Sequence, residues 1–174
     1  MKKFRPGLRR GSRWLGCVAL ASGLALSAGG TANAVTTTSN LGVSITINAT
    51  CAISAVSNVN FGSVGLLNTA LTAEGSFEVQ CTNGTPYVIS LGTGTGTGAT
   101  TTNRLMTSGA ETVAYSLYRD SGHTQVWGVD SGTDTVSASG NGSAQPYTVY
   151  GRVPSQTTPT ANTYSDTVII SVDY

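Results

Sequence analysis

Apolar residues alternate with small or polar residues throughout positions 41–53. The apolar positions are Leu41, Val43, Ile45, Ile47, Ala49, Cys51 and Ile53. A period of two predicts a β-strand with one buried face. Such a strand would span roughly 43 Å, whereas a usual strand has about five or six residues. One small domain is therefore not expected to bury all of it.

Two interpretations of this run stay open. In the first, residues 35–47 form an apolar extension that enters the sheet of another molecule, and the domain proper begins at residue 48. In the second, the run is a single bent or bulged strand that two sheets of one sandwich share.

The rest of the chain predicts an all-β fold. Helical periodicity is not sustained anywhere, and Gly, Ser, Thr and Asn interrupt the chain about every 8 to 12 residues. A single sandwich domain is predicted over residues 48–174. Besides the two parts of 41–53, the candidate strands are 60–64, 76–81, 87–91, 112–119, 125–129, 146–153 and 167–174. The polar segment 131–143 is interpreted as a loop or weak edge strand.

The N-terminus has the features of a secretory signal peptide over residues 1–34. Basic residues precede an apolar stretch at 14–26, and small residues lead to Ala32-Asn33-Ala34. Cleavage would make Val35 the first mature residue. The mature chain then carries three arginines and eight acidic residues, a net charge of −5. This balance argues against nucleic acids and anionic membranes as partners.

The cysteine count predicts one disulfide. Cys17 lies in the predicted leader, so Cys51 and Cys81 are the cysteines of an exported mature chain, where an oxidising compartment favours their pairing. Two separate buried thiols are the alternative. A zinc site would need more ligands than these cysteines and His123 supply.

The residues do not predict an enzyme or a cofactor. His123 is the only imidazole, and it follows Asp120-Ser121-Gly122 in a predicted exposed turn. The Gly-Thr repeat at 92–98 lacks the lysine and the helix of a phosphate loop, so a mobile surface loop or a hairpin tip is expected. The acidic residues are interpreted as solvated surface groups, Asp166 among them. Trp127 and Tyr147 offer a carbohydrate-stacking platform as the alternative to core packing.

Several segments together resemble the spore coat U domain, which forms the subunits of archaic, Csu-type chaperone-usher pili. They are Cys51-Ala52-Ile53, Phe61-Gly62, Cys81 after an alternating strand, the segments 113–120 (Val-Ala-Tyr-Ser-Leu-Tyr-Arg-Asp) and 150–154 (Tyr-Gly-Arg-Val-Pro), and 164–168 (Tyr-Ser-Asp-Thr-Val). The Tyr-x-x-Tyr-Arg-Asp pattern is the most specific of them. The glycine and penultimate tyrosine of better-known pilus families are replaced here by Ala161 and Asp173.

The resemblance implies an incomplete immunoglobulin-like β-sandwich, completed by a donor strand from a neighbouring subunit or a chaperone. The donor residues would be Leu41, Val43, Ile45 and Ile47. The acceptor edge would be Val168, Ile170, Val172 and Tyr174, with Ile169 and Ser171 on the opposite face.

The predicted function is therefore a non-enzymatic shaft subunit of a chaperone-usher pilus that supports surface adhesion or biofilm formation. Its expected partners are a periplasmic pilus chaperone, an outer-membrane usher and copies of itself or related subunits. The expected location is the cell surface, reached through the periplasm. A secreted carbohydrate-binding module and a coat protein are the alternatives.

Overall fold

The computed structural model describes residues 33–174, so nearly all of the predicted signal peptide lies outside the described residues. No helix long and apolar enough to cross a membrane occurs in the described part. Residues 33–50 have no regular secondary structure. The eight strands of the described chain are β1 Cys51–Ser57, β2 Leu71–Cys81, β3 Pro86–Leu91, β4 Arg104–Ser108, β5 Glu111–Tyr118, β6 Val136–Ser139, β7 Ala144–Val153 and β8 Ile170–Asp173.

The strands form two sheets with the core between them. The larger sheet has the order β1-β2-β7-β5-β4, and the smaller has the order β6-β3-β8. All pairs of neighbouring strands are antiparallel. Alternate residues of β2, β3 and β5 are buried, as a period of two requires. The core comprises Leu67, Phe77, Val79, Cys81, Tyr87, Ile89, Leu91, Val113, Tyr115, Leu117, Trp127, Val149 and Val153.

The predicted disulfide is confirmed. Cys51 and Cys81 are bonded and lie directly opposite each other in the β1–β2 pair, with their Cα atoms 4.1 Å apart. Thr82 N–H donates a hydrogen bond to Thr50 O, so Thr50 and Thr82 form a hydrogen-bonded pair of the antiparallel ladder. The neighbouring pair, Cys51 and Cys81, is therefore a non-hydrogen-bonded pair, in which the side chains of opposite residues are closest. The pairing thus fits the ladder geometry.

The prediction of a strand at 60–64 is wrong. Residues 58–61 instead cross the inner face of the larger sheet, where two glycines leave room for them. A β-carbon on Gly75 would lie 2.8 Å from one methyl group of Val59 (Cγ2). A β-carbon on Gly151 would lie 2.6 Å from the other methyl group of Val59 (Cγ1). Close approach of this irregular segment to the sheet therefore depends on both glycines.

The prediction of a strand at 125–129 is also wrong, because the backbone of this segment bonds first to one sheet and then to the other. Trp127 N–H donates to Leu117 O in the larger sheet, while Gly128 O accepts from Leu91 N–H in the smaller one. The Trp127 side chain is buried and its indole N–H donates to Ile89 O at 3.1 Å. The apolar alternation of 125–129 therefore belongs to a segment that passes between the sheets and places Trp127 in the core.

Two short edge strands, β4 and β6, differ in how far the sequence predicts them. β4 lies at an edge of the larger sheet and was not predicted. β6 falls within 131–143 and is an edge strand of the smaller sheet, one of the two alternatives for that segment.

Candidate functional site

A groove with core side chains in its walls opens between the two sheets. Its volume is about 410 Å³. Side chains that are otherwise buried form its walls: Phe77, Leu91, Tyr115, Leu117 and Val149. Residues 56–61 border it on one side, and residues 164–170 border it on another. A complete sandwich would cover these side chains with a further strand.

β8 presents an unpaired edge in the described chain. It pairs with β3 and stands last in the sheet order. Val168, Ile170 and Val172 pack against the core, whereas Ile169 on the opposite face is 71% exposed. Tyr174, the fourth residue of the predicted acceptor edge, follows the strand and is 62% exposed.

The register of β8 shows which backbone groups are available at that edge. Gly92 N–H donates to Ile169 O at 2.9 Å, so these residues form a hydrogen-bonded pair. Hydrogen-bonded and non-hydrogen-bonded pairs alternate along an antiparallel ladder. Ser90–Ser171 and Val88–Asp173 are therefore hydrogen-bonded pairs, and Leu91–Ile170 and Ile89–Val172 are non-hydrogen-bonded pairs. The N–H and C=O groups of Ile170 and Val172 therefore point away from β3. An added strand would meet the backbone of the same residues whose side chains face the core.

The predicted donor residues lie outside every strand of the described chain. Leu41, Val43, Ile45 and Ile47 are 89%, 89%, 85% and 75% exposed, respectively. Four alternating aliphatic side chains left in water are unfavourable for an isolated subunit, and burial elsewhere would stabilise them.

The backbone just before β1 is already bonded to the end of β2. The Thr82 hydroxyl accepts a hydrogen bond from Thr50 N–H at 3.1 Å and donates to Asn48 O at 3.3 Å. Strand β1 then starts at Cys51. Within the alternating run of 41–53, the residues before Cys51 are outside any strand, and those from Cys51 onward are paired to β2.

One end of the groove is polar and is organised around Asp166. Its carboxylate accepts hydrogen bonds from Tyr115 Oη at 2.7 Å, Thr95 N–H at 2.7 Å, Thr95 Oγ1 at 2.8 Å and Thr167 N–H at 2.7 Å. Burial alone would raise the pKa of Asp166, but these bonds outweigh it and lower that pKa. The interpretation of Asp166 as a solvated surface group is wrong.

Thr95 belongs to the Gly-Thr repeat at 92–98, which is a loop as predicted. Gly94 has a φ of +86°, and a β-carbon at this position would collide with the Asp166 carboxylate. Glycine is required here for both the backbone conformation and the space. The repeat therefore binds a carboxylate of its own chain.

Arg104 is fully buried beside this site. Its guanidinium donates to four backbone carbonyls, those of Gly92 at 2.8 Å, Thr101 at 2.7 Å, Leu91 at 2.9 Å and Trp127 at 2.7 Å. Desolvation lowers the pKa of Arg104, but the planar five-donor group stays charged and well matched to several acceptors. Hydrophobic periodicity does not predict the burial of Arg104.

The Tyr-x-x-Tyr-Arg-Asp motif has a structural role. Arg119 donates to Thr135 O at 2.6 Å and Thr133 O at 2.9 Å. The Asp120 carboxylate accepts from Gln125 N–H at 2.7 Å, which closes the turn that follows β5. His123 is half-buried rather than exposed, and it packs edgewise on Tyr118 with ring centroids 5.3 Å apart. The motif thus shapes the scaffold behind the groove.

The geometry does not provide the carbohydrate platform of the alternative hypothesis. Trp127 is 1% exposed, and Tyr147 stacks on Phe77 with ring centroids 5.7 Å apart. The Tyr147 hydroxyl is also engaged, 2.6 Å from that of Tyr87. Within residues 33–174, no group of three or more His, Cys, Asp or Glu could hold a metal ion.

Comparisons with known proteins agree with this geometry. A family model described as the Spore Coat Protein U domain matches residues 37–171. Protein U of Myxococcus xanthus is 34% identical over 158 residues, which cover 82% of this chain and 88% of that protein.

A solved structure with a similar fold is the CsuC–CsuE chaperone–tip adhesion subunit pre-assembly complex from archaic chaperone-usher Csu pili of Acinetobacter baumannii. The similarity has a TM-score of 0.55 at 25% identity and covers 74% of this chain. The chain corresponds to 41% of the length of the matched chain. The all-β, open-sheet architecture is that of an incomplete immunoglobulin-like subunit. The chain belongs to the spore coat protein U domain family.

Proposed function

We propose that this protein is a structural subunit of a Csu-type chaperone-usher pilus that polymerises by donor-strand exchange. The observation that carries the proposal is the groove, whose walls contain core side chains and which is bordered by the start of the unpaired strand β8. A strand laid along β8 would bond to the outward backbone groups of Ile170 and Val172 and cover the core.

Residues 41–47 have the properties of the incoming strand. When extended, the seven residues 41–47 would span about 23 Å. The seven residues 168–174 along the proposed acceptor edge would span the same length. Their four aliphatic side chains recur at every second position, as entry into one face of a sheet requires. Burying them would contribute about 1.5 to 3 kcal/mol each before ordering costs.

The pilus pathway supplies the partners of the proposal. A periplasmic chaperone would fill the groove first, and an outer-membrane usher would then exchange the chaperone strand for residues 41–47 of the next subunit. The signal peptide predicted over residues 1–34 would start this route, and the fibre would lie at the cell surface. Adhesion or biofilm formation would be its biological role.

A shaft position is proposed over a tip position. A subunit inside a fibre must both receive a strand and supply one, whereas a tip subunit only needs to receive. The groove and the exposed residues Leu41, Val43, Ile45 and Ile47 support both roles in one chain.

Deletion of residues 36–47 tests this function directly. The shortened protein, expressed with its chaperone and usher, should be recovered as a soluble chaperone complex but should form no polymer. Normal polymer from the shortened chain would exclude residues 41–47 as the donor, and loss of the chaperone complex would show that the segment belongs to the subunit's own fold.

A further inference from the structure

We propose that Tyr115, Asp166, Thr95 and Arg104 form a polar clasp that keeps the groove open before a strand enters it. The inference rests on the proposed function, because the strand is what the open groove would receive. The clasp residues are positioning residues that hold the two sheets at the separation a further strand needs.

The Asp166 half of the clasp holds the chain in place at the point where it passes from the larger sheet to the smaller one. Thr107 N–H of β4 donates to Ser165 O at 2.9 Å, and Ser165 N–H donates to Thr107 O at 3.2 Å. Ser165 therefore lies beside the larger sheet. Five residues later the chain enters β8 of the smaller sheet. Between them, Asp166 binds Tyr115 of β5 on one side and Thr95, in the loop after β3, on the other.

The Arg104 half makes a second connection across the same end. Arg104 starts β4 in the larger sheet, and its guanidinium binds the carbonyls of Leu91 and Gly92 at the end of β3 in the smaller one. The guanidinium also binds Trp127 O, in the segment that crosses between the sheets. Charge-assisted hydrogen bonds of this kind hold donor and acceptor at a fixed distance.

An unfilled groove needs such a connection. Its walls carry Phe77, Leu117 and Val149, and apolar walls separated by water tend to close on each other. Arg104 and Tyr115 are buried, so their polar groups would be left without partners inside the protein if the sheets shifted, and that cost opposes the shift. Asp166 is bonded on both carboxylate oxygens, so the clasp is occupied by its own chain and is not a ligand site.

The test compares the double variant Tyr115→Phe/Thr95→Val with the control Tyr118→Phe/Thr97→Val in the full mature chain. The first removes the two hydroxyl groups that bind Asp166. The second removes the same atoms from Tyr118, on the opposite face of β5, and from exposed Thr97 in the same loop. The probes are the dye 1-anilinonaphthalene-8-sulfonate, which reports open apolar surface, and a synthetic peptide of residues 38–49.

If the clasp keeps the groove open, the clasp variant should bind less dye than the control. Reducing the open fraction to about one fifth would slow peptide association about fivefold and leave the dissociation rate nearly unchanged, because only the open form binds. The clasp is refuted if association matches the control. It is equally refuted if dye binding rises or dissociation accelerates, since either result indicates general loosening.

The two proposals fail in different ways. If the parent protein binds no peptide and forms no polymer, donor-strand exchange is wrong, and the dye comparison still decides whether the clasp holds the groove open.

Discussion

Ile169, which directly precedes β8, and Ile170, its first residue, point in opposite directions: Ile169 is 71% exposed, and Ile170 packs against the core beside the groove. We therefore expect opposite outcomes from an aspartate substitution at these two positions. Ile170→Asp would place a charge in the proposed acceptor groove, where it would be desolvated without a partner. It should abolish capture by the chaperone in a co-purification experiment.

Ile169→Asp is the matched control. A charge at this exposed position should change the free energy of unfolding by less than about 0.5 kcal/mol and leave chaperone capture intact. Equal loss of capture in both variants would contradict the assignment of β8 as the acceptor edge.

The disulfide should contribute strongly to stability. Cys51 and Cys81 enclose a loop with a sequence separation of 30. Replacing both with serine should lower the free energy of unfolding by about 3 to 4 kcal/mol in the chain-entropy description. Chemical denaturation of the two proteins measures the difference. Identical denaturation midpoints would show that the bond leaves stability unchanged.

Gly94 and Gly98 provide a comparison within the Gly-Thr repeat. Both have a positive φ, but a β-carbon on Gly94 meets Asp166, whereas one on Gly98 meets nothing within 4 Å. Gly98→Ala should cost about 1 to 2 kcal/mol for the left-handed backbone alone. Gly94→Ala should cost clearly more, because Asp166 must also move. Equal losses in thermal unfolding would argue against a tight Gly94–Asp166 contact.

The carboxylate of Asp166 should make stability depend on pH. Its pKa is lower in the folded protein than in the unfolded chain. A depressed pKa means that the contribution is complete above the unfolded value, about 3.9, and is lost as the pH falls through the folded value. Asp166→Asn should therefore flatten the decline of stability below about pH 4. Asp173→Asn, on β8, is the control, and equal slopes for all three proteins would refute the prediction.

Local alternation was sufficient to predict the central strands. β2, β3, β5 and β7 each bury alternate residues in one sandwich core, and a period of two in the sequence reflects that directly.

The missed features depend on contacts between distant parts of the chain. β4 is short and begins with Arg104, whose burial requires carbonyls from Leu91, Gly92 and Trp127. Periodicity carries no information about those partners. Likewise, Asp166 resembles a surface residue in the sequence, and its role follows only from the positions of Thr95 and Tyr115 in the fold.

The most direct test of the central claim is polymer assembly by Ile45→Asp compared with Ser44→Asp. Both positions are exposed in the described chain, so neither charge should destabilise the isolated subunit. In a donated strand, however, Ile45 faces the groove and Ser44 faces away from it. Each variant is expressed with the chaperone and usher, and the heat-resistant polymer is quantified.

We expect Ile45→Asp to retain chaperone binding and to lose the polymer, because it forfeits about 1.5 to 3 kcal/mol of apolar burial and adds the cost of desolvating a charge. Ser44→Asp should assemble nearly as well as the parent protein. If both variants assemble like the parent, or if Ile45→Asp unfolds the monomer, residues 41–47 are not a donor strand and the account is wrong.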